Sequence, residues 1–202
     1  DGSVSTWAIC WFLTGCGIEY PDPAEEFLAL SAGGWQTIGL KTDNSVVTWG
    51  GLNPQPPIPE PNTDFVAVAA GGDLGQEMSC GQYLGLKANG SIVAWGDNNY
   101  GQCDIPAPNT NFKSIAAGGR HNLGLTNDGA VVAWGDNMHG QCNVPSPNIG
   151  FSAIAAGGYH SLALKDGSIT AWGRNTNYSG SYLGQCDVPE PNSDFIAIAA
   201  GG

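Results

Sequence analysis

The chain has 202 residues, 42% of them hydrophobic and only 12% charged, with 31 glycines and 13 prolines, so it is turn-rich without the charge of a disordered chain. Its formal net charge is −12, and its six basic residues (Lys41, Lys87, Lys113, Arg120, Lys165 and Arg174) are too few and too scattered to form a phosphate-binding stripe. Nucleic acid and anionic membrane are poor partners for such a chain, and no apolar run approaches the length of a membrane span.

In chain order, the first element is a strand phrase, Asp1 to Trp7, which returns at Asp43 to Gly50, Asn89 to Gly96, Asp128 to Gly135 and Asp166 to Gly173. A second phrase opens at Phe27 and ends in Gly33-Gly34. It returns from Phe65, Phe112, Phe151 and Phe195, at successive spacings of 38, 47, 39 and 44 residues. Such a period marks a stack of supersecondary units, none able to bury its apolar face alone. The reading divides the chain into a partial unit 1–26, units 27–64, 65–111, 112–150 and 151–194, and a partial unit 195–202.

Residues 151–190 are the cleanest copy. Ile154-Ala155-Ala156 is a short run of small apolar residues, predicted as a strand buried on both faces and broken by Gly157-Gly158. Ser161 to Lys165 is the second strand, and Asp166-Gly167 suits a two-residue hairpin with positive φ at both positions. Ser168 to Trp172 is the third strand. Gly184 to Pro189, ended by proline, reads as a frayed edge strand, and Pro191-Asn192 turns the chain into the next copy. No segment has useful helical periodicity. The fold class predicted is all-β: a β-propeller of repeated four-stranded antiparallel blades, with about four and a half repeats present. Alanine and glycine form the inner strand because strands crowd at the axis. Trp49, Trp95, Trp134 and Trp172 are large enough to fill the widening gap between blades.

The string Ala155-Ala156-Gly157-Gly158-Tyr159-His160-Ser161-Leu162-Ala163-Leu164-Lys165, followed by Asp-Gly-Ser and Ala-Trp-Gly, resembles the regulator of chromosome condensation repeat family. So does Trp134-Gly135-Asp136-Asn137 followed by Gly140-Gln141-Cys142-Asn143-Val144-Pro145, in a variety closest to bacterial members. The resemblance implies a ring of about seven blades. The chain holds five copies of each strand phrase but only four of the strand between them. It is therefore expected to belong to a longer propeller, or to have its ends completed by another chain.

Cys103, Cys142 and Cys186 share one slot of the repeat, with Cys16 a fourth and Pro56 in the second unit, and are read as small buried apolar residues. Cys10 and Cys80 fall in irregular loops, where a disulfide between them stays open. No C-x₂-C spacing suggests zinc. His121 and His160 follow Gly-Gly-x in equivalent positions, replaced elsewhere by Thr37 and by Tyr83 or its neighbours, and are read as bonding a backbone turn. Asp97-Asn98-Asn99 and Asp136-Asn137 lack the ligand spacing of a calcium loop and read as turns. Glu25-Glu26 and Glu60 stand apart from any nucleophile–base pair, so neither a catalytic constellation nor a cofactor is expected.

Strand direction alternates, so the first-to-second turns and the third-to-fourth loops emerge on one end. The former present Trp35, Arg120, Tyr159 and an insertion from Asp73 to Gln82. The latter present Trp11, Phe12, Tyr100, His139, Tyr178 and Tyr182. Aromatics with an arginine on one rim have the composition of a binding patch. By resemblance, the secreted propeller-type inhibitor of β-lactamase grips its target with the aromatic after Gly-Gly, a position that Trp35 and Tyr159 match. The function expected is a non-enzymatic module binding a protein through its loop-bearing face, secreted or at the cell surface. A structural subunit self-associating through open ends and a secreted-enzyme inhibitor are the alternatives.

Overall fold

The computed structural model describes residues 26–51, 55–72, 81–177 and 179–201. Within them the chain is all-β, with twelve strands in four antiparallel meanders and no helix. The first sheet holds β1 (Phe27–Gly33), β2 (Gln36–Lys41) and β3 (Val46–Gly50); the second holds β4 (Phe65–Ala70), β5 (Gln82–Lys87) and β6 (Ile92–Gly96). The third is β7 (Phe112–Ala117), β8 (His121–Thr126) and β9 (Val131–Gly135), and the fourth β10 (Ala153–Ala156), β11 (His160–Lys165) and β12 (Ser168–Gly173). Asp166 and Gly167 both take positive φ, 49° and 75°, as the two-residue hairpin requires.

Each sheet has three strands where the sequence predicts four. The reason is one side chain per sheet. Asn109 reaches the outer edge of β6, accepting the Ile92 N–H at 2.8 Å and donating to the Ile92 carbonyl at 2.7 Å. Asn62 does the same to Val46, Asn148 to Val131 and Asn192 to Ile169, every contact between 2.7 and 3.0 Å. A carboxamide presents the same donor and acceptor as a peptide group, so it satisfies the edge where a fourth strand would pair. The Gly-Gln-Cys-x-Val/Ile-Pro segments fold instead as turns beside the sheet, Gly184 to Pro189 included.

The apolar core lies between sheets, not within them. Ile38, Leu40 and Val46 of the first sheet pack on Phe65, Tyr83 and Trp95 of the second. Leu84, Leu86 and Ile92 then pack on Phe112 and Trp134, and Leu123, Leu125 and Val131 on Phe151 and Trp172. The four tryptophans are buried, at 5–7% exposure. The main chain stitches the same junctions: the Phe65, Phe112, Phe151 and Phe195 N–H groups donate to the preceding hairpin at Asn44, Gly90, Gly129 and Gly167.

The first strands are half-buried rather than buried on both faces, with Leu28 and Val66 turned to solvent. What demands small residues is the end of each phrase. A Cβ on Gly33 would stand 2.3 Å from the Ala70 carbonyl oxygen, and one on Gly118 would stand 2.5 Å from that of Gly157. Successive sheets thus meet backbone to backbone along a shared axis. In the second strand, Gly39, Gly85 and Gly124 lie under the phenylalanine ring of their own sheet. Ala163 occupies that slot in the fourth sheet, and there β10 starts two residues after Phe151 instead of at it.

Candidate interaction face

The antiparallel meander sends the first-to-second turns and the loops after the third strand to one end of the array. Those loops build themselves. Asn98 Oδ1 accepts the Cys103 N–H at 2.7 Å, Gln102 Oε1 accepts the Tyr100 N–H at 2.8 Å, and Cys103 Sγ donates to the Asp97 carbonyl at 3.2 Å. Asn137, Gln141 and Cys142 repeat the pattern at 2.9, 2.9 and 3.3 Å. The Asp and Asn oxygens are therefore spent on their own loop, consistent with turn formation. The three slot cysteines are half-buried thiol donors rather than fully buried apolar groups. Burial, then the nearby carboxylates, push the Cys103 thiol up to about 11; burial and Asp136 do the same for Cys142.

This scaffold brings the rim residues together in pairs across sheet junctions. Arg120, after the Gly-Gly of the third sheet, donates through Nη1 to the Tyr100 hydroxyl at 2.7 Å, with its guanidinium 4.6 Å from that ring. His139 and Tyr159 stand T-shaped at 5.6 Å between ring centroids, and within the fourth sheet the Arg174 guanidinium lies 5.4 Å from the same tyrosine ring. Trp35 stands apart, 58% exposed, while Tyr182 is 67% exposed with its hydroxyl donating to Asp187. Trp11, Phe12, Tyr178, Cys10, Cys16, Cys80 and residues 73–80 of the insertion lie outside the described residues. Gln82, read as the end of that insertion, is instead the first residue of β5 and fully buried.

The histidine slot is corrected in the first sheet and narrowed to one neighbour of Tyr83 in the second. His121 pairs with Gly135 and His160 with Gly173, so their counterparts by register are Gln36 and Gln82, one residue before Thr37 and Tyr83. These residues bridge neighbouring sheets. Gln36 Nε2 donates to the Gly71 and Gln82 carbonyls at 3.0 and 3.1 Å, and Gln82 Nε2 to Gly118 at 3.1 Å. His121 Nε2 lies 2.9 Å from Ser161 Oγ, a hydroxyl partner rather than a backbone turn. That serine–histidine contact is 0% exposed on both sides, so no substrate reaches it.

Beside the rim runs a groove of about 750 Å³ along the axis, walled by the Ala-Gly-Gly ends of the inner-strand phrases and by Tyr159, His160, Arg174, Leu183 and Gln185. Sequence reasoning passed over Arg174, Leu183 and the exposed Met138. The available signal was a break in the repeat, since Arg174 stands where Asp97 and Asp136 stand in the two preceding loops.

With this geometry in hand, comparison with known proteins confirms the repeat type. Residues 112–141 and 151–179 match the model of the regulator of chromosome condensation (RCC1) repeat. No curated protein matches the chain. Among solved structures, the ectodomain of the Physcomitrella patens receptor kinase CR4 is similar at 25% identity and a TM-score of 0.66, over 88% of this chain and 46% of that one. Prp20p of Saccharomyces cerevisiae, a structure described together with its binding properties to Gsp1p and histones, is similar at 22% identity and 0.59, over 78% and 50%. Yeast RCC1 (Prp20) bound to Kap60 is similar at 22% identity and 0.63, over 91% and 54%. The chain spans about half the length of these structures, and they share the propeller-type fold.

Proposed function

We propose that this array of RCC1-type repeats is a non-enzymatic protein-interaction module that engages its partner through the loop-bearing end. The observation that carries the reading is segregation of residue types. Both arginines of the chain lie toward that end, Arg120 half-buried on Tyr100 and Arg174 buried beside Tyr159, together with exposed Trp35, Tyr182 and Met138. The four lysines sit at the other end: Lys41, Lys87 and Lys165 close second strands and Lys113 follows the start of β7. Arginine, tyrosine and tryptophan are the residues that anchor protein interfaces, and lysine is depleted there. The neighbours support the partner class, since Prp20 is described with Kap60, Gsp1p and histones, all proteins. Likeness to a receptor-kinase ectodomain supports a location outside the cell. The buried serine–histidine contact braces two sheets and performs no chemistry in this reading.

The test is differential capture from the native source by immobilised wild-type chain, Trp35→Ala, Tyr182→Ala and Lys165→Ala. A genuine partner is retained by wild type and Lys165→Ala and weakened by the aromatic variants, each by about 2 kcal/mol or more where the residue is a hot spot. Equal retention by all four folded proteins would move the interface to another surface.

A further inference from the structure

The hairpin tips that join second to third strands lie at the end of the array opposite the loops, and one of them differs chemically from the rest. Three place aspartate before a residue of positive φ: Asp43-Asn44, Asp128-Gly129 and Asp166-Gly167. The second sheet has Asn89-Gly90 there, the one Asn-Gly step in the sequence. Asn89 is exposed, and its Oδ1 accepts the Ser91 N–H at 3.0 Å and the Ser91 hydroxyl at 2.7 Å. Two donors on that oxygen polarise the carboxamide and stabilise negative charge developing there. Gly90, at φ 80°, brings no side chain to shield Asn89 Cγ from the main-chain nitrogen.

The same tip clasps the next sheet. The Gly90 carbonyl accepts the Phe112 N–H at 3.0 Å, and a Cβ on Gly90 would stand 3.2 Å from the Asn111 nitrogen. Aspartate is already accommodated at this slot in the first hairpin, where Asp43 Oδ1 takes the Ser45 N–H at 3.0 Å and its hydroxyl at 2.6 Å. The Ser45 hydroxyl and N–H hold the Asp43 carboxyl below the usual carboxylate range, and a hydrogen bond with the Thr126 side chain does the same for Asp128. An ionised carboxylate repels a nucleophile; the neutral carboxamide of Asn89 has no such protection.

We propose that Asn89-Gly90 is a self-modifying site, cyclising to a succinimide that water opens to aspartate or to isoaspartate. The Gly90 N–H leaves the Lys87 carbonyl, 2.9 Å away, by local opening of the exposed tip, and gives its proton to solvent. The Gly90 nitrogen then bonds to Asn89 Cγ, and Nδ2 takes a proton from water and leaves as ammonia. Water adds to one of the two ring carbonyls: breaking the new N–Cγ bond yields aspartate, and breaking the original peptide bond yields isoaspartate. Nothing is oxidised or reduced. Aspartate restores the hairpin as at Asp43, whereas isoaspartate lengthens the main chain by a carbon and draws the Gly90 carbonyl away from Phe112. The site lies at the other end from the proposed interaction face and does not depend on it.

The test is peptide mapping by mass spectrometry of the wild-type chain, Ser91→Ala and Asn89→Gln, all aged at mildly alkaline pH. Asn89 is expected to convert before Asn44 and Asn127, which are also exposed at hairpin tips, with isoaspartate present at position 89. Ser91→Ala removes one donor to Oδ1, at a slot where the third hairpin already carries Ala130, and should slow conversion a few-fold. Asn89→Gln, whose cyclisation needs a larger ring, should stop it. Amide hydrogen exchange at Phe112 should quicken about tenfold or more in the isoaspartate fraction, the loss of one neutral hydrogen bond, and stay unchanged in Asn89→Asp. Earlier conversion at Asn44 or Asn127, aspartate without isoaspartate, an unchanged rate in Ser91→Ala, or unaltered Phe112 exchange in the isoaspartate fraction would each overturn the proposal.

Discussion

His121 shows how one side chain can tie two sheets together and make their junction sensitive to pH. Ser161 Oγ donates to the Gln141 carbonyl at 2.8 Å, so its oxygen is left to accept from His121 Nε2, which assigns the Nε2–H tautomer. The ring is fully buried, and Nδ1 has no hydrogen-bond partner. Burial, with a further push from His160 and a smaller opposing pull from Asp136, lowers its pKa to about 4. The unfolded chain takes up this proton near pH 6.5 and the folded one only near 4, so the stability owed to neutral His121 is complete above pH 6.5. It is lost progressively as pH falls to about 4, to a total of about 3 kcal/mol. His160, also lowered by burial, adds a change of the same sign. His121→Gln, which installs the residue found at Gln36 and Gln82, should flatten the dependence of urea-unfolding free energy on pH between 6.5 and 4.5. An unchanged slope would mean that the titrating group lies elsewhere.

At the scale of the element, the decisive feature is the asparagine that closes each sheet. Asn109 gives the edge of β6 both hydrogen bonds that a fourth strand would supply, at the cost of ordering one side chain. Its truncation leaves the Ile92 N–H and carbonyl, with Ile92 itself 2% exposed, without partners. Asn109→Ala should therefore destabilise by about 2–4 kcal/mol, two part-buried groups at roughly 1–3 kcal/mol each less what solvent recovers. Asn109→Asp should be intermediate, because it keeps the acceptor for Ile92 N–H and loses the donor. Chemical denaturation of both variants checks the order; an aspartate variant as unstable as the alanine one would show that the accepting bond contributes little. The same asparagine is legible in sequence only as a turn residue after proline. Its edge-capping role depends on the third strand lying beside it, and nothing in the local pattern states that.

Across the whole molecule, stability is distributed in layers, each shared by two successive sheets. Leu123 of the third sheet and Trp172 of the fourth belong to one cluster, whereas Ile38 belongs to a cluster between the first and second sheets. Energies in such an array are close to a sum of neighbour terms. Leu123→Ala combined with Trp172→Phe should show a coupling of about 0.5–3 kcal/mol, while Ile38→Val combined with Trp172→Phe should add within about 0.5 kcal/mol. Equal coupling in both pairs, measured by denaturation of the single and double variants, would replace the layered account with one cooperative core.

The sequence by itself determined the all-β class, the repeat phase, the tryptophans that fill the junctions and the end on which the loops gather. These are properties of a short segment repeated in register: each copy meets the same neighbours, so its packing demands are written in its own pattern of glycine, alanine and tryptophan. Only the tertiary structure decided that the fourth segment is not a strand, that Arg120 lies on Tyr100 and His139 on Tyr159, and that Arg174 and Gln185 border a groove. Each of these depends on which atom of the adjoining sheet stands opposite a given side chain. That is set by the stagger and rotation between sheets, which a period along the chain does not carry.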